Sequence, residues 1–201
     1  MHSTNNYIII QLALRPMKVV YLAGTTFAAT TVSDFGEFFA TMAKLSITPE
    51  TAIIVNRGPG SYSGIRTGIS YAFGLLHGGL VTSAQIHSCT SFDLVRAATN
   101  HKGPIYLKAW PRLASKKLAE SKGYWSPATQ NGKEFFYRTW EAISKTPDLL
   151  SIGEEPIKTQ HEYRTYADII EDPVTFRGLV DSTSVLSTSL EPLYINPVHI
   201  S

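Results

Sequence analysis

Val55-Asn56-Arg57-Gly58-Pro59-Gly60-Ser61-Tyr62-Ser63-Gly64-Ile65-Arg66-Thr67-Gly68-Ile69-Ser70-Tyr71-Ala72-Phe73-Gly74-Leu75-Leu76 is the stretch from which the fold is read. Residues 52–55 are apolar and rich in β-branched side chains, the composition of a buried strand. Gly58-Pro59-Gly60 breaks that strand, because proline fixes φ and glycine permits positive φ. Ser61 and Ser63 can each cap a helix N-terminus by accepting from its unpaired N–H groups. A helical pattern then runs for about three to four turns of roughly 3.6 residues each.

Gly64, Gly68 and Ala72 recur every fourth residue and line one stripe of that helix. Ile65, Ile69, Phe73 and Leu76 line the stripe beside it. A glycine inside a helix costs about 1 kcal/mol against alanine, so Gly64, Gly68 and Gly74 need a compensating gain. Close approach of another backbone supplies one. That backbone belongs either to the protein's own sheet or to a second subunit.

Working outward, residues 7–14 and 18–23 are apolar, flank Arg15-Pro16, and read as two strands joined by a turn. Residues 25–32 make a third, with Gly24 at the bend. Ser33-Asp34 opens a helix, with Asp34 and Glu37 at capping-box spacing. Phe35, Phe38, Phe39, Met42 and Leu45 follow on one helical face. Thr48-Pro49 closes it. Gly78-Gly79 ends the central helix. Residues 80–86 read as a strand and 91–98 as a helix. The order βββαβαβα fits one half of an actin-like, ribonuclease-H-like α/β fold, a three-strand meander extended by parallel crossovers.

Residues 100–104 read as a boundary. The division predicted is a first ribonuclease-H-like lobe over 1–100 and a second, reduced and degenerate lobe over 101–201. In the second, 105–110, 122–125, 135–140 and 149–152 read as strands. Asp172-Pro173 starts a short helix running to Val180, with proline in its first turn. Residues 181–189 read as a Ser/Thr-rich loop. No repeat of fixed period is visible.

The composition, 43% hydrophobic and 17% charged over 201 residues, suits a globular protein with a sizeable core. A single cysteine, Cys89, excludes a disulfide framework and a cysteine-rich zinc site. The apolar run 7–14 is too short to span a bilayer and lacks the basic flank of a signal peptide. A cytoplasmic protein without membrane contact is expected. Charge is unevenly spread: residues 101–145 hold nine Lys+Arg against three Asp+Glu, and 146–201 hold three against nine. The basic middle suits either a solvated surface or a nucleic acid.

Arg57-Gly58-Pro59-Gly60-Ser61-Tyr62-Ser63-Gly64-Ile65-Arg66-Thr67-Gly68 resembles the signature G-R-G-P-G-S-[FY]-[ST]-G-[LIV]-R-x-G of the TsaB/YeaZ family, with Asn56 at its first glycine. Glu191-Pro192-Leu193-Tyr194-Ile195 is similar to that family's C-terminal E-P-[LV]-Y-L. The resemblance implies an actin-like fold and a non-catalytic partner in bacterial tRNA threonylcarbamoyladenosine synthesis. It implies pairing with a catalytic TsaD-type paralogue and a TsaE-type ATPase, or with a second copy of the chain. tRNA would then be met indirectly. Its interface would use Phe35, Phe39, Met42, Gly64, Ile65, Gly68, Ile69, Ala72 and Phe73. No cofactor is expected on this chain alone, with ATP or ADP at a shared interface.

The chemistry points the same way. Arg57, Gly58, Gly60, Ser61, Ser63 and Arg66 could hold an anion at a helix N-terminus. A tight turn with a capped helix accounts for the same residues without a ligand. The loop is not a Walker motif, since Ile65 follows Gly64. It is not a dinucleotide fingerprint, with Ser63 at the third glycine. Nor is it a nucleophile elbow, with Tyr62 at the serine position. Actin-like phosphotransferases need an acid at the end of the first strand for Mg²⁺; here Gln11 stands there. In the second lobe, Lys108-Ala109-Trp110-Pro111-Arg112 also lacks the acid of the family's D-A-[RK] segment. The six histidines form no metal motif, and His87 with Cys89 lacks a third group. A scaffold subunit is therefore expected, ahead of an actin-like ATPase or kinase and a glycoprotease-type peptidase.

Overall fold

The computed structural model describes residues 6–108, 122–127, 135–153, 162–171, 173–181 and 186–193. Among these residues, ten strands fall into two five-stranded sheets. The first half contains β1 (Asn6–Gln11), β2 (Met17–Ala23), β3 (Thr26–Val32), α1 (Phe35–Met42), β4 (Thr51–Asn56), α2 (Tyr62–His77), β5 (Ile86–Cys89) and α3 (Ser91–Thr99). The second contains β6 (Ile105–Lys108), β7 (Lys122–Ser126), β8 (Phe136–Thr139), α4 (Trp140–Ile143), β9 (Leu150–Gly153), β10 (Tyr163–Thr165), α5 (Tyr166–Glu171) and α6 (Pro173–Asp181).

The first sheet has the order β3-β2-β1-β4-β5. β1 pairs antiparallel with β2 and parallel with β4; β4 pairs parallel with β5. The second sheet, β8-β7-β6-β9-β10, repeats this plan. β6 is antiparallel to β7 and parallel to β9, and β9 is parallel to β10. The second half is the smaller copy: its strands are three to five residues long, against four to seven in the first. The mixed α/β fold is thus an actin-like arrangement built twice.

Both faces of the first sheet are covered, so its central strands are apolar throughout. Ile8, Ile10, Ile53 and Val55 pack under α1 and α2 with Phe38, Met42, Ile65, Ile69 and Ala72. Ile9, Val20 and Ile54 point the other way. They share one cluster with Phe92 and Val95 of α3, Ile169 of α5, Phe176 and Leu179 of α6, and Ile105 and Leu107 of β6. One continuous apolar layer therefore joins the two sheets.

Local signals act as expected at most element ends. Asp34 accepts from Glu37 N at 2.8 Å. The Glu37 carboxylate reaches back to Ser33 rather than to the cap residue itself. These bonds hold its acid below the usual range. Ser61, and not Ser63, caps α2. Gly79 follows that helix at φ 71°, the left-handed turn glycine permits. The strand expected over 80–86 is corrected. Val81 is buried, but Thr82 and Gln85 close a capping box around a single 3₁₀ turn, and β5 begins only at Ile86. No helix among the described residues is long and apolar enough to cross a membrane.

Candidate functional site

β1, β4 and β5 run parallel and end together at Gln11, Asn56 and Cys89. In open α/β sheets, ligands collect beyond such strand ends. Here the polar groups at that place are spent on one another. Gln11 is fully buried. Its Oε1 accepts from Ala13 N at 3.1 Å, Leu14 N at 3.2 Å and Asn56 Nδ2 at 2.9 Å. Its Nε2 donates to Leu14 O at 3.1 Å. Asn56 also donates to Ser91 Oγ at 3.1 Å and accepts from Gly58 N at 2.9 Å. Ser91 Oγ donates to Pro59 O at 2.7 Å.

The glycine loop is closed in the same way. Gly58 has φ 106°, which only glycine adopts readily. Ser61 N donates to Ala13 O at 2.6 Å, and Ser61 Oγ caps Gly64 N at 3.3 Å. A Cβ on Gly60 would meet the Ala13 carbonyl, and one on Gly64 the Leu12 carbonyl. Arg57 turns to the C-terminal segment: it donates to Glu191 O at 3.4 Å, and its own carbonyl accepts from Leu193 N. Carbonyl oxygens therefore sit where an anion would need donors. Of the six residues expected at an anion site, Gly58, Gly60 and Ser61 are absorbed by the chain's own contacts, while Arg57 reaches Glu191 through Nη1 and keeps a buried Nε without a partner. Ser63 and Arg66 lie instead on the outer side of α2.

A magnesium nucleotide does not fit these residues. Gln11 offers no free oxygen, and the mouth of α2 is plugged by the loop after β1. Among the described residues, no group of three His, Cys, Asp or Glu could hold a metal ion. Cys89 is buried, and its thiol is pushed well above the ordinary range, first by burial and then by Asp93. A nucleophilic cysteine needs the opposite shift. Burial lowers His87, also on β5. Asp93 is spent capping α3: it accepts from Thr90 N at 2.7 Å and Thr90 Oγ1 at 2.8 Å.

The helix face differs from the expected interface in one respect. Gly64, Gly68 and Ala72 are buried against the protein's own sheet, not offered to a second chain. A Cβ on Gly68 would lie 3.2 Å from Val55 Cγ1 and 3.4 Å from Ile10 Cγ2. Met42, Ile65 and Ile69 are buried in the same layer. The stripe lets α2 lie close on β1 and β4, and this close packing offsets the helical cost of Gly64 and Gly68; Gly74, exposed with nothing within 4 Å of an added Cβ, has no such gain. Phe35 is half-buried, while Phe39 and Phe73 are 49% and 42% exposed.

What faces outward is the opposite stripe. Phe39 of α1 and Tyr62, Arg66, Ser70 and Tyr71 of α2 line a groove of about 590 Å³ between the two helices. Phe39 lies 6.0 Å from Tyr71, ring centre to ring centre, and Phe38 supports Tyr71 from below at 5.2 Å. Arg66 stacks over the Tyr62 ring at 5.3 Å and donates to its hydroxyl at 3.0 Å. The sequence reading missed Tyr62, Ser70 and Tyr71. The four-residue spacing of Tyr62, Arg66 and Ser70 marks a second stripe as regular as the glycine one.

Fold and site together define an actin-like α/β protein whose strand-end crevice is sealed and whose first-lobe helices present an aromatic groove. No family model matches the sequence, and no curated protein matches it. Two solved structures do share its fold. One is YeaZ from Pseudomonas aeruginosa, at TM-score 0.57 and 12% identity over 94% of this chain and 99% of that one. The other is an uncharacterized protein with similarity to peptidase YeaZ from the same organism, at TM-score 0.56 and 12% identity over 96% and 100%.

Proposed function

We propose that the chain is a non-catalytic partner subunit in tRNA N6-threonylcarbamoyladenosine modification, working through the α1–α2 groove. The observation that carries this reading is the exposed aromatic face around Phe39 and Phe73 on the lobe whose crevice is closed. Large apolar side chains left open on a helix pair mark an association surface. The occupant is a catalytic actin-like paralogue of the TsaD type, with a TsaE-type ATPase completing the assembly. In its absence a second copy of the chain takes the same face. ATP or ADP would be held with residues of the partner, and tRNA reached through it, in the cytoplasm. The likeness to YeaZ and the glycine-loop signature support the assignment. A peptidase activity finds no activated nucleophile at Cys89, and a lone ATPase no acid at Gln11.

The test is co-purification from the source cell, with gel filtration of the wild-type chain and of Phe39→Glu and Phe73→Glu. Both side chains are exposed, so both variants should fold. Loss of the captured paralogue, or of the dimer, in the variants is expected. An unchanged complex in both would overturn the surface, and capture of unrelated proteins only would overturn the function.

A further inference from the structure

We propose that the outer face of the second sheet, at its β7–β8 end, binds a single-stranded polynucleotide by stacking bases on Trp125 and Phe136. This does not rest on the pairing role given to α1 and α2. The pairing register sets two rows side by side. Phe136 stands opposite Trp125, and Trp125 opposite Tyr106, so one row is aromatic. Arg138 stands opposite Gly123, and Gly123 opposite Lys108, so the neighbouring row carries two cations with a glycine between them. All six residues alternate onto the same side of the sheet.

The described residues cover this face only in part. Tyr106 is buried beneath Trp140 of α4, at 5.4 Å between ring centres. Trp125 is half-buried and Phe136 is 38% exposed, their rings 5.8 Å apart and 34° from coplanar. Arg138 lies 5.0 Å over the Phe136 ring and is itself exposed. Gly123 makes room for the Tyr106 ring, which a Cβ there would meet at 2.5 Å. The Trp125 indole N–H is buried and has no hydrogen-bond partner.

The chemistry selects the occupant. Neighbouring aromatic rings beside guanidinium and ammonium groups match a chain that alternates flat bases with phosphates. Of the cations in the stretch 101–145, Lys108 and Arg138 stand on this face and supply the charge complementarity. A duplex keeps its bases stacked inside and offers this surface only phosphates.

The test is fluorescence anisotropy with labelled 12-nucleotide single-stranded RNA, single-stranded DNA and a duplex, at roughly 50 mM salt. Both single strands should bind more tightly than the duplex. Phe136→Ala should weaken single-strand binding about tenfold, within the range for loss of one stacked base. Arg138→Gln should lower the slope of log affinity against log salt by about 1. Lys44→Gln, which removes one positive charge from the turn after α1, should leave affinity within about twofold. A second measurement needs no variant: 2-aminopurine in the single strand should be quenched by the wild-type protein. Absence of single-strand binding at about 100 μM protein, equal binding of the duplex, no quenching, or folded Phe136→Ala and Arg138→Gln binding like wild type would each overturn the assignment.

Discussion

Gly64 lies so tightly against Leu12 that an added Cβ would fall 2.7 Å from the Leu12 carbonyl carbon and closer still to its oxygen. Backbone cannot step aside as a side chain can. Gly64→Ala should therefore cost about 3 kcal/mol, at the upper end of overpacking penalties, despite alanine's better helix propensity. Gly68→Ala should fall within about 1 kcal/mol of wild type, because it meets only methyl groups and gains helix propensity. Gly68→Leu should disrupt the lobe rather than a subunit contact. Urea denaturation of the three variants checks this. Equal stability of Gly64→Ala and wild type would contradict the geometry.

Gln11 both donates and accepts within a sealed pocket of backbone and the Asn56 side chain, which an ionised carboxylate cannot do. Restoring a carboxylate by Gln11→Asp should not create a metal site. It should lose the bond to Leu14 O and bury an unpaired charge, costing about 3 kcal/mol at neutral pH. The loss should shrink in acid as the carboxyl protonates. Thermal melts at several pH values, with and without Mg²⁺, provide the measurement. A magnesium-dependent rise in stability would show that the crevice is more open than described.

Burial raises the Asp93 carboxyl above its ordinary range, and the Thr90 bonds offset this only in part. The folded protein thus holds this proton more tightly than the unfolded chain. Asp93's contribution is complete below pH of about 4, the unfolded value, and is lost as pH rises through the folded pKa. Asp93→Asn can still accept from Thr90 but cannot ionise. Its stability relative to wild type should climb between acid and neutral pH. A difference that stays flat would mean that the Thr90 bonds cancel burial, and one that falls that they win over it.

Cys89 should resist thiol reagents at pH 8, because its thiol is both 1% exposed and shifted upward. Labelling should complete in denaturant and otherwise follow the opening rate of the protein. Rapid modification of the folded chain would reopen the peptidase reading.

Much of this fold was legible in the residues. Apolar runs such as Ile8 to Ile10 and Ile53 to Val55 announce central strands, and Ser61, Asp34 and Gly79 announce helix ends. Periodicity also found the Gly64, Gly68 and Ala72 stripe. It could not say what the stripe meets, because the Leu12 carbonyl and the Val55 side chain are brought there by strand pairing. The same limit hid the sealed crevice. Gln11, Asn56 and Ser91 are distant in sequence, and nothing local to any of them shows that their amide and hydroxyl groups satisfy one another. The misplaced strand over 80–86 arose because buried Val81 carries the apolar signal of a strand. Thr82 and Gln85, two ordinary polar residues, coil the backbone through their mutual bonds. In the second half, aromatic strands were readable, but a topology shared without shared sequence was not.

That shared topology makes β6 the counterpart of β1, and it gives their last residues corresponding places. Those residues are Gln11 and Lys108. A molecule made of two like halves has two chances to keep a magnesium-seeking carboxylate at the end of its middle strand. This one ends the first with an amide already in use and the second with a positive charge. A carboxylate introduced at one of these strand ends would therefore still face an amide or a cation at the other.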